Sequence, residues 1–447
     1  MKTDPILRTR REFLRTSVLG GALAATVPAF LASTISALQA SAANSAVQTA
    51  TGRDADILVV LQMAGGNDGL NTLVPFGNDY YRRGRPRLGI AASDALKLND
   101  EVGLHPSLTG FKELYDHGSL AVVQGIGYPN PNRSHFRSTE IWQTASDSEQ
   151  FEKYGWLGRY FDNACSGCDP TIGVNIGRQM PQAFAAKHPL GISLENPQQY
   201  RFISTDRRHH DGAEESFRKL NESDEGMAMD AGGAGSNSGD TIGAIHGKTA
   251  HTGSALDFLE RTSMDAQVSS DKILAVSGKV QNKADYPQSL LATSLKLVAR
   301  LIGGGLPTRV YYVSQGGYDT HTNQLPTQQR LLKDLGDSVK AFTEDMKAQG
   351  NMSRVLVMTF SEFGRRVAEN ANGGTDHGAA APMFIIGEKV KAGLLGKYPS
   401  LAPADLLNGD MKYSVDFRSV YAGILENWLK TPSAPILGRQ FQPLVCV

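Results

Sequence analysis

Apolar runs and amphipathic stripes alternate along this chain. Asp56-Ile-Leu-Val-Val-Leu-Gln-Met63 is a short, β-branched run that stops at Gly65-Gly66-Asn67-Asp68-Gly69, as a buried strand ended by a turn does. Leu120–Gln124, Arg309–Ser314, Arg354–Phe360 and Met383–Ile386 predict four more strands. Between them, Leu108, Phe111, Leu114 and Tyr115 follow helical spacing, and Leu331, Leu335, Val339, Phe342 and Met346 keep one apolar face. Phe417, Val420, Tyr421, Ile424, Leu425 and Trp428 do the same behind an Asp416 cap. Continuously apolar strands alternating with amphipathic helices predict an α/β fold, a doubly wound and mostly parallel sheet sandwiched by helices.

Two segments break the pattern. Arg10-Arg11 precedes Phe13-Leu14, an uncharged run from Val18 to Leu31 and the small residues Ala40-Ser41-Ala42. That order reads as a cleaved signal over residues 1–42, and the paired arginines resemble the twin-arginine type used for bacterial export. The expectation is therefore a periplasmic or secreted protein handled by the twin-arginine machinery, with no permanent membrane span in the mature chain. Between about 206 and 254 a Gly/Ser-rich stretch lacks any hydrophobic period, and it is expected to be a mobile insertion within one domain spanning 43–447.

Composition then narrows the function. Lys+Arg and Asp+Glu both number 45, so the net charge of +0 argues against nucleic acid as a partner. Three cysteines cannot make a disulfide framework, although Cys165 and Cys168 are close enough for a local bridge or a pair of inert thiols.

Ligands of open α/β sheets bind beyond the carboxyl ends of the strands. The loops expected there carry Asp68, then Asp319 and His321, then Glu362, then Asp376 and His377. Several anions in one pocket repel one another unless a cation joins them. Mixed Asp, Glu and His ligands suit one or two divalent ions such as Zn²⁺, Mn²⁺, Mg²⁺ or Ca²⁺. The loop after the Leu120 strand adds Arg133-Ser134-His135-Phe136-Arg137, a hydroxyl flanked by two guanidinium groups and an imidazole. If a helix starts here, Ser134 is either its N-cap beside solvent-exposed arginines, or sits where backbone N–H groups favour an anion and would attack while Arg133, Arg137 and His135 bind the transferred group.

The segments Gly65–Thr72, Tyr128–Arg137, Gly317–His321, Phe360–Arg365 and Gly374–Gly378 together resemble the exported bacterial family called domain of unknown function 1501. That family is similar in turn to the alkaline phosphatase and sulfatase superfamily. The resemblance implies an alkaline phosphatase-like fold, with Ser134 where a nucleophile is expected and Asp68, Asp319, His321, Glu362, Asp376 and His377 around the metal. It implies a metal-dependent hydrolase of a small anionic phosphate or sulfate ester. Phe363 stands where the superfamily has an imidazole, which motivates the alternative of a non-catalytic metal-binding or assembly protein.

Overall fold

The computed structural model describes residues 55–164, 169–188, 190–197 and 269–447. The expected signal, the 206–254 insertion and the Cys165/Cys168 pair lie outside the described residues. The sheet and everything discussed below belong to one compact unit, Ser36–Tyr200 with Lys272–Val447.

In chain order the main-sheet strands are β1 (Ile57–Met63), β5 (Leu120–Gly127), β6 (Gly173–Ile176), β7 (Ile192–Leu194), β8 (Val310–Gln315), β9 (Val355–Phe360), β10 (Ala381–Ile386), β11 (Gly393–Leu395) and β12 (Val415–Asp416). A small second sheet joins β2 (Leu73–Val74), β3 (Leu96–Lys97) and β4 (Gly103–Leu104). The main sheet runs β11-β5-β10-β9-β1-β8-β6-β7, with β12 also pairing β5. Neighbours pair in parallel except at β10, which is antiparallel to both β9 and β5. The expected α/β architecture is the observed one, and all five predicted strands are present. β6, β7, β11 and β12 have four residues or fewer, too short to show a hydrophobic period.

Helices cover both faces of the sheet: α1 (Gly69–Thr72), α2 (Asp79–Gly84), α3 (Thr109–Asp116), α4 (His135–Thr144), α5 (Trp156–Ala164), α6 (Leu290–Gly303), α7 (Gln324–Ala348) and α8 (Phe417–Gly423). The alternation along β10 shows the two faces directly. Met383 and Ile385 join a core with Trp142 of α4, Trp156 of α5 and Tyr421 of α8. Phe384, between them, meets Phe111 of α3 edge-on at 4.9 Å on the other side. The predicted last helix begins as expected, with the Asp416 side chain accepting from Arg418 N–H, but its α-helical part stops at Gly423 and a π-type turn, Ile424–Trp428, carries the rest.

The single reversed strand has a consequence for function. Because β10 runs antiparallel, the loop that precedes it arrives at the rim where the parallel strands end. Loops after β1, β5, β8 and β9 and the loop before β10 thus share one edge of the sheet.

Candidate metal centre at the carboxyl rim

Close packing of those loops begins with two glycines after β1. Gly65 and Gly66 have φ of +118° and +75°; a Cβ on Gly65 would lie 2.4 Å from Asp319 N, and one on Gly66 would lie 2.2 Å from the Phe363 ring. Only glycine fits either place. The fully buried Arg365 then ties the loops together. Its Nε donates to Gly66 O at 2.7 Å, Nη1 to Thr375 O at 2.8 Å, and Nη2 to Tyr318 O at 3.0 Å and Asp319 Oδ1 at 2.8 Å. Carbonyls from three loops therefore fix one guanidinium, and that guanidinium fixes Asp319.

Three imidazoles surround the Asp319 carboxylate. His377 Nδ1 lies 2.8 Å from Arg133 O, His321 Nδ1 lies 3.2 Å from Asp376 Oδ1, and His135 Nδ1 lies 2.9 Å from Glu362 Oε1. Each Nδ1 can donate to its oxygen acceptor, and a ring in that tautomer turns its Nε2 lone pair to the cluster. Those three Nε2 atoms turn toward Asp319. His377 and His321 are 3.1 and 3.2 Å from Oδ1, and His135 is 3.4 Å from Oδ2. The His135 Nε2 is buried and has no hydrogen-bond partner, since its approach to Oδ2 lacks the necessary geometry. Potential ligand atoms of His135, Asp319 and His377 all lie within 4.8 Å of one another.

Arg365 already meets one oxygen of the Asp319 carboxylate, and a divalent ion would bring the imidazole nitrogens and that carboxylate onto one charge. Each imidazole is also backed through its other nitrogen by an oxygen acceptor, the arrangement that orients metal-bound histidines. Partial burial would raise the Asp319 pKa, but Arg365 and His377 hold its carboxyl down at about 2. Burial likewise pushes the His377 imidazole below its ordinary value, against the pull of Asp319 and the Arg133 carbonyl. Both groups are thus in their ligating forms near neutral pH. This donor set of three nitrogens and one carboxylate can hold a divalent ion such as Zn²⁺ or Mn²⁺.

The structure brings five of the six expected metal ligands, and His135, to this cluster in unequal positions. Asp319, His321 and His377 face inward. Glu362 and Asp376 stand behind, because Glu362 Oε1 already accepts from Gly65 N–H at 2.8 Å and from His135, while Asp376 supports His321. Asp68 is elsewhere. Its fully buried carboxylate pairs with Arg85, accepts from Gln324 Nε2 at 2.5 Å and caps α1 through Leu70 N–H at 3.2 Å. A guanidinium thus meets the charge on Asp68 that was expected to meet a metal.

The Arg133–Arg137 segment divides similarly. Ser134 is the exposed N-cap residue of α4, and its hydroxyl makes no capping hydrogen bond. It lies between Arg133, whose carbonyl holds His377, and His135 of the cluster. Arg133 pairs with the buried Asp410, and Arg366 lies 3.7 Å from the same carboxylate. Arg137 is withdrawn: it is buried, pairs with Glu140, and donates to the carbonyls of Asp147, Ser148 and Gln150. It packs over Phe151 rather than reaching the rim. The expected place for Arg137 beside a substrate is replaced by a structural one. The sequence gives His135 an anion-binding part and no part to Arg365 or Asp410, since a buried charged residue carries the same local signature as a solvated one.

Fold and site together define an α/β protein with a histidine–carboxylate cluster at the carboxyl rim of a mostly parallel sheet. The chain belongs to the DUF1501 family, described as protein of unknown function, which matches residues 55–431. No curated protein sequence matches it. Among solved structures it is similar to a protein in the alkaline phosphatase superfamily from Vibrio parahaemolyticus, with 9% identity, a TM-score of 0.34, and coverage of 92% of this chain and 77% of that one. It is also similar to the PsFucS1 sulfatase from Pseudoalteromonas sp., with 9% identity, a TM-score of 0.33, and coverage of 86% and 68%. The periplasmic domain of EcEptC from Escherichia coli, solved with Zn, shows 10% identity, a TM-score of 0.30, and coverage of 77% and 78%. These likenesses are loose, and the architecture stands on the sheet order given above.

Proposed function

We propose that this protein is a metal-dependent hydrolase of phosphate or sulfate esters. His135, His321, His377 and Asp319 would hold the ion, and Ser134 would be the nucleophile. The observation that carries the reading is the convergence of three Nε2 atoms on one carboxylate, each ring tethered through its other nitrogen. A bound divalent ion would lower the pKa of the serine hydroxyl and draw charge from the transferring group. Ser134 Oγ forms a bond to phosphorus or sulfur as the substrate alcohol leaves, and water then releases the inorganic anion. Unsatisfied N–H groups at the start of α4 favour the anionic group there. Arg133 and Arg366, both pivoting on Asp410, add positive charge at the same mouth. The Arg10-Arg11 leader extends the proposal to export, which cell fractionation tests.

Phe363 favours a second reading. Its ring lies 4.5 Å from that of His377 and 4.9 Å from that of His135. An apolar wall against two ligands suits a single ion, and it would also suit a protein that binds metal without turnover. Metal analysis of the purified chain, with assays on chromogenic phosphate mono- and diesters and sulfate esters, separates the two. The hydrolase reading expects turnover that is lost in both Ser134→Ala and Asp319→Asn. Turnover surviving both substitutions overturns it, and bound metal with no turnover on any ester favours the binding protein.

A further inference from the structure

At the opposite end of α4 from His135, a cleft of about 290 Å³ opens toward α5, α8 and the C-terminal segment. Ser146, Asp147, Arg159, Arg418, Arg439 and Phe441 are among its lining residues. Two of its guanidinium groups are matched by carboxylates. Arg418 donates from Nε and Nη2 to Asp416 at 2.9 and 2.7 Å and pairs with Asp147. Arg439 grips both oxygens of Asp147 at 2.9 Å, and the Phe441 ring lies 4.8 Å from one guanidinium and 4.9 Å from the other.

Arg159 is not matched. Its Nε, Nη1 and Nη2 donate to the carbonyls of Ile436, Tyr154 and Thr144, which satisfy hydrogen bonds without cancelling charge. Among the described residues it makes no ion pair, and Glu152, the nearby acid at the mouth, is exposed. Ser146 is 4% exposed, yet its Oγ has no hydrogen-bond partner. A buried hydroxyl with nothing to bond and a half-buried cation held only by carbonyls are both costly, and native structures keep such groups chiefly where something else satisfies them.

We propose that this cleft binds a small oxyanion, a carboxylate or a phosphate. Ser146 Oγ donates to it, the remaining N–H groups of Arg159 meet its charge, and the half-exposed Arg439 turns from Asp147 to close the mouth. The volume sits at the lower limit of small-molecule pockets and admits only a compact ligand. The site is independent of the metal cluster and of the hydrolase reading.

Calorimetric titration of the full chain with inorganic phosphate and, separately, with citrate tests this. Chelator is present throughout, and chloride at matched ionic strength is the control. Saturable binding of at least one oxyanion is expected, and which one binds identifies the chemistry. Ser146→Val removes the donor and fills the space without breaking a hydrogen bond, so affinity falls at least tenfold while Tm holds. Arg439→Gln weakens binding, and Asp319→Asn leaves it unchanged. No binding beyond chloride, binding that survives Ser146→Val, or binding abolished by Asp319→Asn each overturns the proposal.

Discussion

The Nε2 atoms of His321 and His377 face each other at 2.9 Å, each on a ring whose Nδ1 lies against an oxygen acceptor. Two ring nitrogens at that distance can share a proton or a metal ion, and the groups behind the rings set how well they present themselves. Glu362→Gln keeps the shape but removes the charge that draws the His135 Nδ1 proton. Metal affinity is expected to fall by roughly 10–100-fold, the usual effect of losing such a backing group. Competition with a chromophoric chelator measures it, and Asp319→Asn is expected to lower affinity further than Glu362→Gln does.

Asp68 is expected to be a structural carboxylate, not a metal ligand. Its side chain and that of Arg85 are both fully buried. Asp68→Ala leaves a guanidinium without its counter-ion in the interior, and such losses cost about 3–5 kcal/mol. Denaturant unfolding is expected to show that destabilisation, while metal stoichiometry in the folded fraction stays unchanged. A variant of full stability that has lost its metal would return Asp68 to the ligand set.

These two carboxylates also show how far the sequence could be read. The strands are legible because β1, β5, β9 and β10 are buried along their whole length, and β8 everywhere but Ser314, so each carries a run of apolar residues. Rim placement then follows from chain direction, and it brings Asp319, His321 and His377 to one place. Division of labour among the acids was not legible. Glu362 and Asp68 both follow a buried strand by a few residues, and only the third dimension puts Arg85 against one and His135 against the other. The π-type turn after α8 was equally hidden, since the apolar spacing from Phe417 to Trp428 fits either winding. Arg137 went astray because α4 rotates it away from Ser134, a fact of helix phase that a list of neighbouring residues does not contain.

His105 makes stability depend on pH. It is buried, its Nδ1 accepts from Ser107 N–H at 3.0 Å, and burial, opposed by Asp68, pushes its pKa from 6.5 down to about 4. In the unfolded chain this imidazole takes up a proton below pH 6.5, whereas in the folded chain it does not until about pH 4. The unfolded state therefore binds more protons across that window, and the contribution present above pH 6.5 is lost as pH falls toward 4. The slope for one such group approaches about 1.4 kcal/mol per pH unit. Urea unfolding at several pH values is expected to give a slope in this window that is shallower for His105→Gln than for the natural chain. Equal slopes would show that some other group carries the dependence.

Asp410 is expected to act on substrate binding through two arginines. Its fully buried carboxylate accepts from Arg133 Nε at 2.8 Å through Oδ2, while Oδ1, with no hydrogen-bond partner, faces Arg366 Nε at 3.7 Å. One anion thus anchors two cations that are each more than a third exposed at the mouth of the cluster. Asp410→Asn preserves the shape and removes the charge, so both guanidinium groups lose their fixed aim. KM for a phosphate monoester is expected to rise about tenfold with kcat within about twofold, the pattern of a lost ground-state contact. Metal affinity supplies the control, because the Arg133 carbonyl also holds the His377 Nδ1 proton. A raised KM with unchanged metal affinity places the effect in the Arg133 and Arg366 side chains. Loss of metal in step with activity would instead mean that Asp410 acts by fixing the backbone at Arg133, and the clamp at the mouth would have to be abandoned.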